Sequence, residues 1–142
     1  RLTFNMVPYK SSSSCPSKLL VVDDLPDNLF LMEAVLSEED SYQVECVDSG
    51  KAALESIEES VPDLILLDIM MPEMTGYEVT RRIRQNPTLP HIPIILVTAH
   101  DELGAAESLR AGADGFIHKP FDIEEMLATI ESTLQHCYVG CC

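Results

Sequence analysis

Five strand-sized apolar runs, each stopping at a polar or charged residue, alternate along this chain with segments of helical period. The runs are Leu19–Val22, Tyr42–Val47, Leu64–Leu67, Ile92–Val97 and a short one around Phe116–His118. Between the first two, Pro26 opens a segment in which Leu29, Met32, Val35 and Leu36 recur on one face. Ser49 and Gly50 lead into a second, with Ala53, Leu54, Ile57 and Val61 on one stripe and Pro62 ending it. A loop with Met71, Pro72 and Gly76 precedes a third over Tyr77–Arg84; a fourth, Asp101–Ala111, closes at Gly112. Asp122 and Glu125 form a reciprocal cap for the last, whose buried face carries Ile123, Met126, Leu127, Ile130 and Leu134. Strands apolar on both faces require cover on both faces, so the expected fold is α/β, a parallel sheet between two layers of helices. Right-handed crossovers make it doubly wound.

The chain's 142 residues suit one domain, and 46% hydrophobic residues can fill its core. Nine Lys and Arg stand against 24 Asp and Glu, a net charge of −15 that repels phosphate backbones and anionic lipid. Direct nucleic-acid binding and a membrane partner are not expected. No apolar run is long enough to span a bilayer, and Arg1–Pro16 lacks the apolar segment of a secretory signal. The cysteines, Cys15, Cys46, Cys137, Cys141 and Cys142, are odd in number and mostly terminal, which fits a reducing cytoplasm better than a disulfide framework. Residues 1–17, with Pro8, Pro16 and the run Ser11–Ser14, read as a flexible leader, 18–136 as the folded domain and 137–142 as a mobile cysteine-containing tail. An initial Arg rather than Met points to trimming, a cloning remnant or excision from a longer protein.

In a doubly wound sheet, ligands sit beyond the carboxyl ends of the strands. The residues there are Asp23 and Asp24 after the first run, Asp68 after the third, Thr98 after the fourth and Lys119 after the fifth. If the first and third strands are neighbours, roughly 4.8 Å apart, three carboxylates converge within a few ångströms. Such a cluster takes up a proton or recruits a hard cation, and oxygen ligands beside phosphate chemistry suit Mg2+. Asp68 would then be the attacking oxygen, Lys119 an opposing cation and Thr98 a hydroxyl donor to a phosphoryl oxygen.

Val21-Val22-Asp23-Asp24, Leu66-Leu67-Asp68-Ile69-Met70-Met71-Pro72, Val97-Thr98-Ala99 and Lys119-Pro120-Phe121 resemble, in order and spacing, the receiver domains of two-component response regulators. The likeness covers about residues 18–136. It implies a flavodoxin-like (βα)5 fold with strand order 2-1-3-4-5, an order taken from a known chemotaxis member of the fold rather than from spacing. It also implies that Asp68 takes a phosphoryl group from a phosphohistidine on a histidine kinase or histidine phosphotransfer protein. Asp24, Asp68 and the main-chain carbonyl of Met70 would ligate Mg2+, with Asp23 acting mainly through water. Thr98 and Phe116 would be the coupled switch pair, and the Lys119–Pro120 peptide would be cis. Phosphorylation would reshape the face made by the fourth helix, fifth strand and fifth helix, which is also the expected face of a homodimer. Met70 and His100, two residues after Asp68 and Thr98, resemble the family's control points for dephosphorylation. Neither is a carboxylate base, so a slow-decaying phosphoform is expected.

Taken singly, these residues have plainer readings. An Asp at a strand end is often a turn residue, Thr98 could cap the following helix, and Phe116 could be core. Met70 and Met71 read as loop packing, and His91, His100, His118 and His136 as solvated or lightly packed, with no metal-ligand spacing. The terminal cysteines lack a four-residue prenylation box, because position 139 is Val. Two rival functions remain. An aspartyl-phosphate phosphohydrolase of the haloacid dehalogenase type needs a second Asp two residues after the nucleophile, where this chain has Met70. A phosphorylation-independent interaction module would tolerate substitution at the five key positions, and none is substituted. The expected role is therefore a switch with Mg2+-dependent self-phosphotransfer and autodephosphorylation rather than an enzyme acting on a separate substrate.

Overall fold

The computed structural model describes residues 16–99, 102–120 and 122–141. In chain order the elements are β1 (Ser17–Val22), α1 (Pro26–Leu36), β2 (Tyr42–Val47), α2 (Gly50–Glu59), β3 (Leu64–Asp68), α3 (Gly76–Gln85), β4 (Ile94–Thr98), α4 (Glu102–Ala111), β5 (Gly115–His118) and α5 (Ile123–Cys141). The strands form one sheet in the order β2-β1-β3-β4-β5, every neighbouring pair parallel. This is the expected α/β fold with the expected strand order.

Alternation along the central strands sorts their side chains into two cores. Leu20, Val22, Ile65, Leu67, Ile94 and Leu96 face Ala53 and Ile57 of α2 and Val79 and Ile83 of α3. Leu19, Val21, Leu64, Leu66 and Ile95 face Met32 and Leu36 of α1 and Met126, Ile130 and Leu134 of α5. Burial on both faces is why β1, β3 and β4 read as unbroken apolar runs. β2 lies at the sheet edge and exposes Gln43 and Glu45, which explains its weaker pattern.

Local chemistry sets the helix ends. Pro26 occupies the first turn of α1, Ser49 Oγ accepts the amide of Ala52 at 3.0 Å, and Thr75 Oγ1 that of Glu78 at 3.2 Å. Asp122 Oδ1 accepts from the amides of Glu124 and Glu125 at 3.1 and 3.3 Å. Gly112, at φ +101°, ends α4 in the left-handed region that favours glycine.

Val61 departs from its expected place. α2 ends at Glu59 and Ser60 is already extended, because the chain must straighten into Pro62 before β3; Val61 is left 42% exposed. The backbone of α5 continues through Cys141, past residue 136 where the sequence suggested the domain's end. Residues 1–15, His100, Asp101 where the fourth helix is expected to begin, Phe121 and Cys142 lie outside the described residues. Among the described residues, no helix is long and apolar enough to cross a membrane.

Candidate functional site

β1 and β3 are adjacent, with Val22 opposite Leu67, so their acidic ends arrive side by side. Asp23, Asp24 and Asp68 can each offer a carboxylate oxygen such that all lie within 4.8 Å of one another. Lys119 reaches this cluster from the end of β5: its Nζ is 3.0 Å from Asp68 Oδ1 and 3.6 Å from Asp23 Oδ2. Asp23 and Asp68 are buried, Asp24 and Lys119 partly so.

The three carboxylates are held differently. Asp23 Oδ1 accepts from the amide of Leu25 at 3.0 Å, and Oδ2 from Asn28 Nδ2 at 3.0 Å, so the first turn of α1 fixes its side chain. Asp24 makes no hydrogen bond to another described residue and remains available to a ligand. Burial pushes the Asp68 carboxyl above its usual range; the hydrogen bond from Lys119 opposes this, and the charges of Asp23 and Asp24 add to the rise. Among the described residues, one lysine faces three carboxylates, which leaves the pocket short of positive charge. An all-oxygen donor set of this kind fits a hard divalent cation such as Mg2+.

Backbone around Asp68 is tightly packed. The amide of Ile69 donates to the carbonyl of Val97 at 3.1 Å, and the amide of Gly76 to that of Ile69 at 2.9 Å. A Cβ on Gly76 would stand 2.5 Å from the carbonyl oxygen of Asp68, so only glycine allows this approach. Thr98 is buried at the end of β4, and its carbonyl accepts the amide of Lys119 at 2.8 Å. The Lys119–Pro120 peptide is cis.

Asp23, Asp24, Asp68 and Lys119 thus converge as the sequence suggested, with Thr98 at the adjoining strand end. Phe116 is half-buried against the α2–α3 core, and its ring meets His118 edge-on. Met70 and Met71 part company: Met71 is buried in loop packing, whereas Met70 is 62% exposed beside Asp68. His91 is largely solvated as expected, though its Nε2 lies 3.1 Å from Asp114 Oδ1. Sequence reasoning missed Asn28 and Gly76 as parts of the site. An Asn in a first helical turn looks like any capping residue, and Gly76 was visible only as a loop glycine.

The model of the response regulator receiver domain matches residues 19–131. The response regulator PleD of Caulobacter vibrioides is 41% identical over 117 residues, which are 82% of this chain and 26% of PleD. This chain therefore spans about a quarter of that relative's length. Among solved structures, the chemotaxis protein CheY4 of Vibrio cholerae superposes with a TM-score of 0.77 at 29% identity, covering 84% of this chain and 99% of that one. The receiver domain of sensor histidine kinase PA1611 from Pseudomonas aeruginosa, solved with a magnesium ion coordinated in its active site cleft, gives a TM-score of 0.77 at 33% identity, covering 85% and 99% of the two chains. With the strand order, the acidic cluster at the strand ends and these matches in agreement, the chain belongs to the response regulator receiver domains of two-component signalling.

Proposed function

We propose that this receiver takes a phosphoryl group from a phosphohistidine of a histidine kinase or histidine phosphotransfer protein onto Asp68. The observation that carries this reading is the group of three carboxylates within 4.8 Å with Lys119 Nζ 3.0 Å from Asp68 Oδ1. Asp68 attacks phosphorus, the P–N bond to the donor imidazole breaks, and an acyl phosphate forms. Lys119 then exchanges a carboxylate partner for a phosphoryl oxygen, and the Thr98 hydroxyl donates to another. Asp24, Asp68 and the main-chain carbonyl of Met70 would hold Mg2+, with Asp23 acting through water. The ion, when bound, neutralises phosphoryl charge and so lowers the barrier to transfer in either direction. The magnesium coordinated in the related PA1611 domain supports this cofactor.

Movement of Thr98 toward the phosphoryl group opens space for Phe116 and reshapes the α4–β5–α5 face, through which the domain docks on a partner, on a second copy or on an attached output segment. The net charge of −15 argues against direct nucleic-acid contact, and the odd, mostly terminal cysteines support a reducing, cytoplasmic setting. Met70 and His100 lack a carboxylate base to direct water, so the acyl phosphate decays slowly, as suits sustained signalling or relay.

Incubation with acetyl phosphate and Mg2+ should add a single acid-stable, base-labile phosphoryl group, located at Asp68 by mass spectrometry. Asp68→Asn should abolish it. Unchanged labelling in that variant would refute the assignment.

A further inference from the structure

We infer that His118 is a positioning residue for the switch: its ring holds that of Phe116 in the resting position and thereby sets how much the pocket must spend to leave it. The inference rests on the phosphoacceptor reading above and concerns its regulation.

In the β4–β5 register, Leu96 is opposite Phe116 and Thr98 opposite His118. Side chains two apart on a strand share a face, so Leu96, Thr98, Phe116 and His118 form one four-residue patch that ends at the pocket. Within it, the Phe116 and His118 rings lie 5.2 Å apart between centroids at 80° between planes, the edge-to-face arrangement favoured by aromatic quadrupoles. Phe116 is half-buried against the core, while His118 is exposed and sits immediately before Lys119. The contact accompanies the pairing of Lys119 with Asp68. A ring that turns toward the space beside Thr98, whose cross-strand partner is His118, changes the angle between the two rings and gives up the edge-to-face geometry. An interaction made in one state alone biases the equilibrium toward that state and weakens, by the same factor, any ligand that selects the other. A contact of this type corresponds to about a two- to tenfold bias.

The test uses the full chain with ring-13C phenylalanine, the Phe116 signals being assigned by their loss in Phe116→Leu. His118→Val keeps a strand-forming residue and removes the ring; His118→Phe keeps an edge-to-face pair. In His118→Val the Phe116 signals should shift and beryllofluoride with Mg2+ should bind about two- to tenfold more tightly, with both effects reversed in His118→Phe. Unmoved Phe116 signals in His118→Val, or moved signals with parental beryllofluoride affinity, would overturn the inference. A parent chain that takes no beryllofluoride contradicts the phosphoacceptor reading instead, and the ring signals alone then decide whether His118 positions Phe116.

Discussion

At the carboxyl end of the sheet three carboxylates share one lysine, whereas at the amino end of β4 and β5 a second ionic cluster is closed on itself. There Arg84 Nε donates to the carbonyl of Gly112 at 2.9 Å, Nη1 to that of Ile92 at 2.8 Å and Nη2 to Asp114 Oδ2 at 2.9 Å. Asp114 also accepts the amide of Ile94 at 2.8 Å and pairs with His91 at 3.1 Å. Each charge at this end has its counterpart, and the bonds tie α3, the α4–β5 turn and the start of β4 together. The upper cluster lacks that balance, and its buried Asp68 is held above its usual pKa. Satisfied ions brace a fold, while an unmatched excess of one sign marks where a ligand enters.

The largest effect expected from this contrast is at the lower cluster. Arg84→Ala removes the side-chain donor to two carbonyls and the guanidinium beside Asp114, and should lower the unfolding free energy by roughly 2–3 kcal/mol in urea titration. Mg2+ affinity should stay within twofold of the parent. Lysine at 84 cannot reproduce the fork and should recover less than half of the loss. A large change in Mg2+ affinity would show that the two ends are not independent.

Next in size is the division of labour between the adjacent aspartates. Asp23 is engaged by Leu25, Asn28 and Lys119, while Asp24 makes no hydrogen bond to another described residue. Asp24→Asn should therefore weaken Mg2+ binding by about tenfold or more, and Asp23→Asn by clearly less, measured by calorimetric titration. Equal losses would assign the two residues the same role.

The smallest effect is on stability without metal. Asp68→Asn removes a buried negative charge beside two others, so in chelator at pH 7 the variant should be slightly more stable than the parent. A carboxyl whose folded pKa is raised binds its proton more tightly folded than unfolded. The parent's deficit should therefore be absent below the ordinary Asp range near 3.8, grow as pH rises through the raised value, and then level off. Added Mg2+ should shrink the difference. A parent more stable than Asp68→Asn in chelator would contradict the charge imbalance.

The two ends also differ in how far the sequence announces them. Asp23, Asp24, Asp68, Thr98 and Lys119 each terminate an apolar run, so the alternation that reveals the sheet also brings these residues to one edge. Arg84 offers no such cue: it follows Arg81 and Arg82 in a helix of ordinary surface composition, and its partners lie eight to thirty residues away. Only the packed fold distinguishes its partly buried side chain from its neighbours. Asn28 and Gly76 were hidden for a related reason, since a side-chain bond across a turn and a close backbone approach leave no periodic trace. Phe30 deviates in the other direction. A large apolar residue is expected inward, yet at 77% exposure it stands outside the stripe formed by Met32 and Leu36.

Lys119 closes the pocket from β5, nearly the whole domain away in sequence from Asp23. During synthesis, β1 and β3 and all three carboxylates leave the ribosome well before their counter-cation. A nascent chain halted short of β5 carries the three carboxylates without Lys119 and lacks the edge strand that pairs with β4. The charge of the pocket is thus compensated only after the last strand has been made.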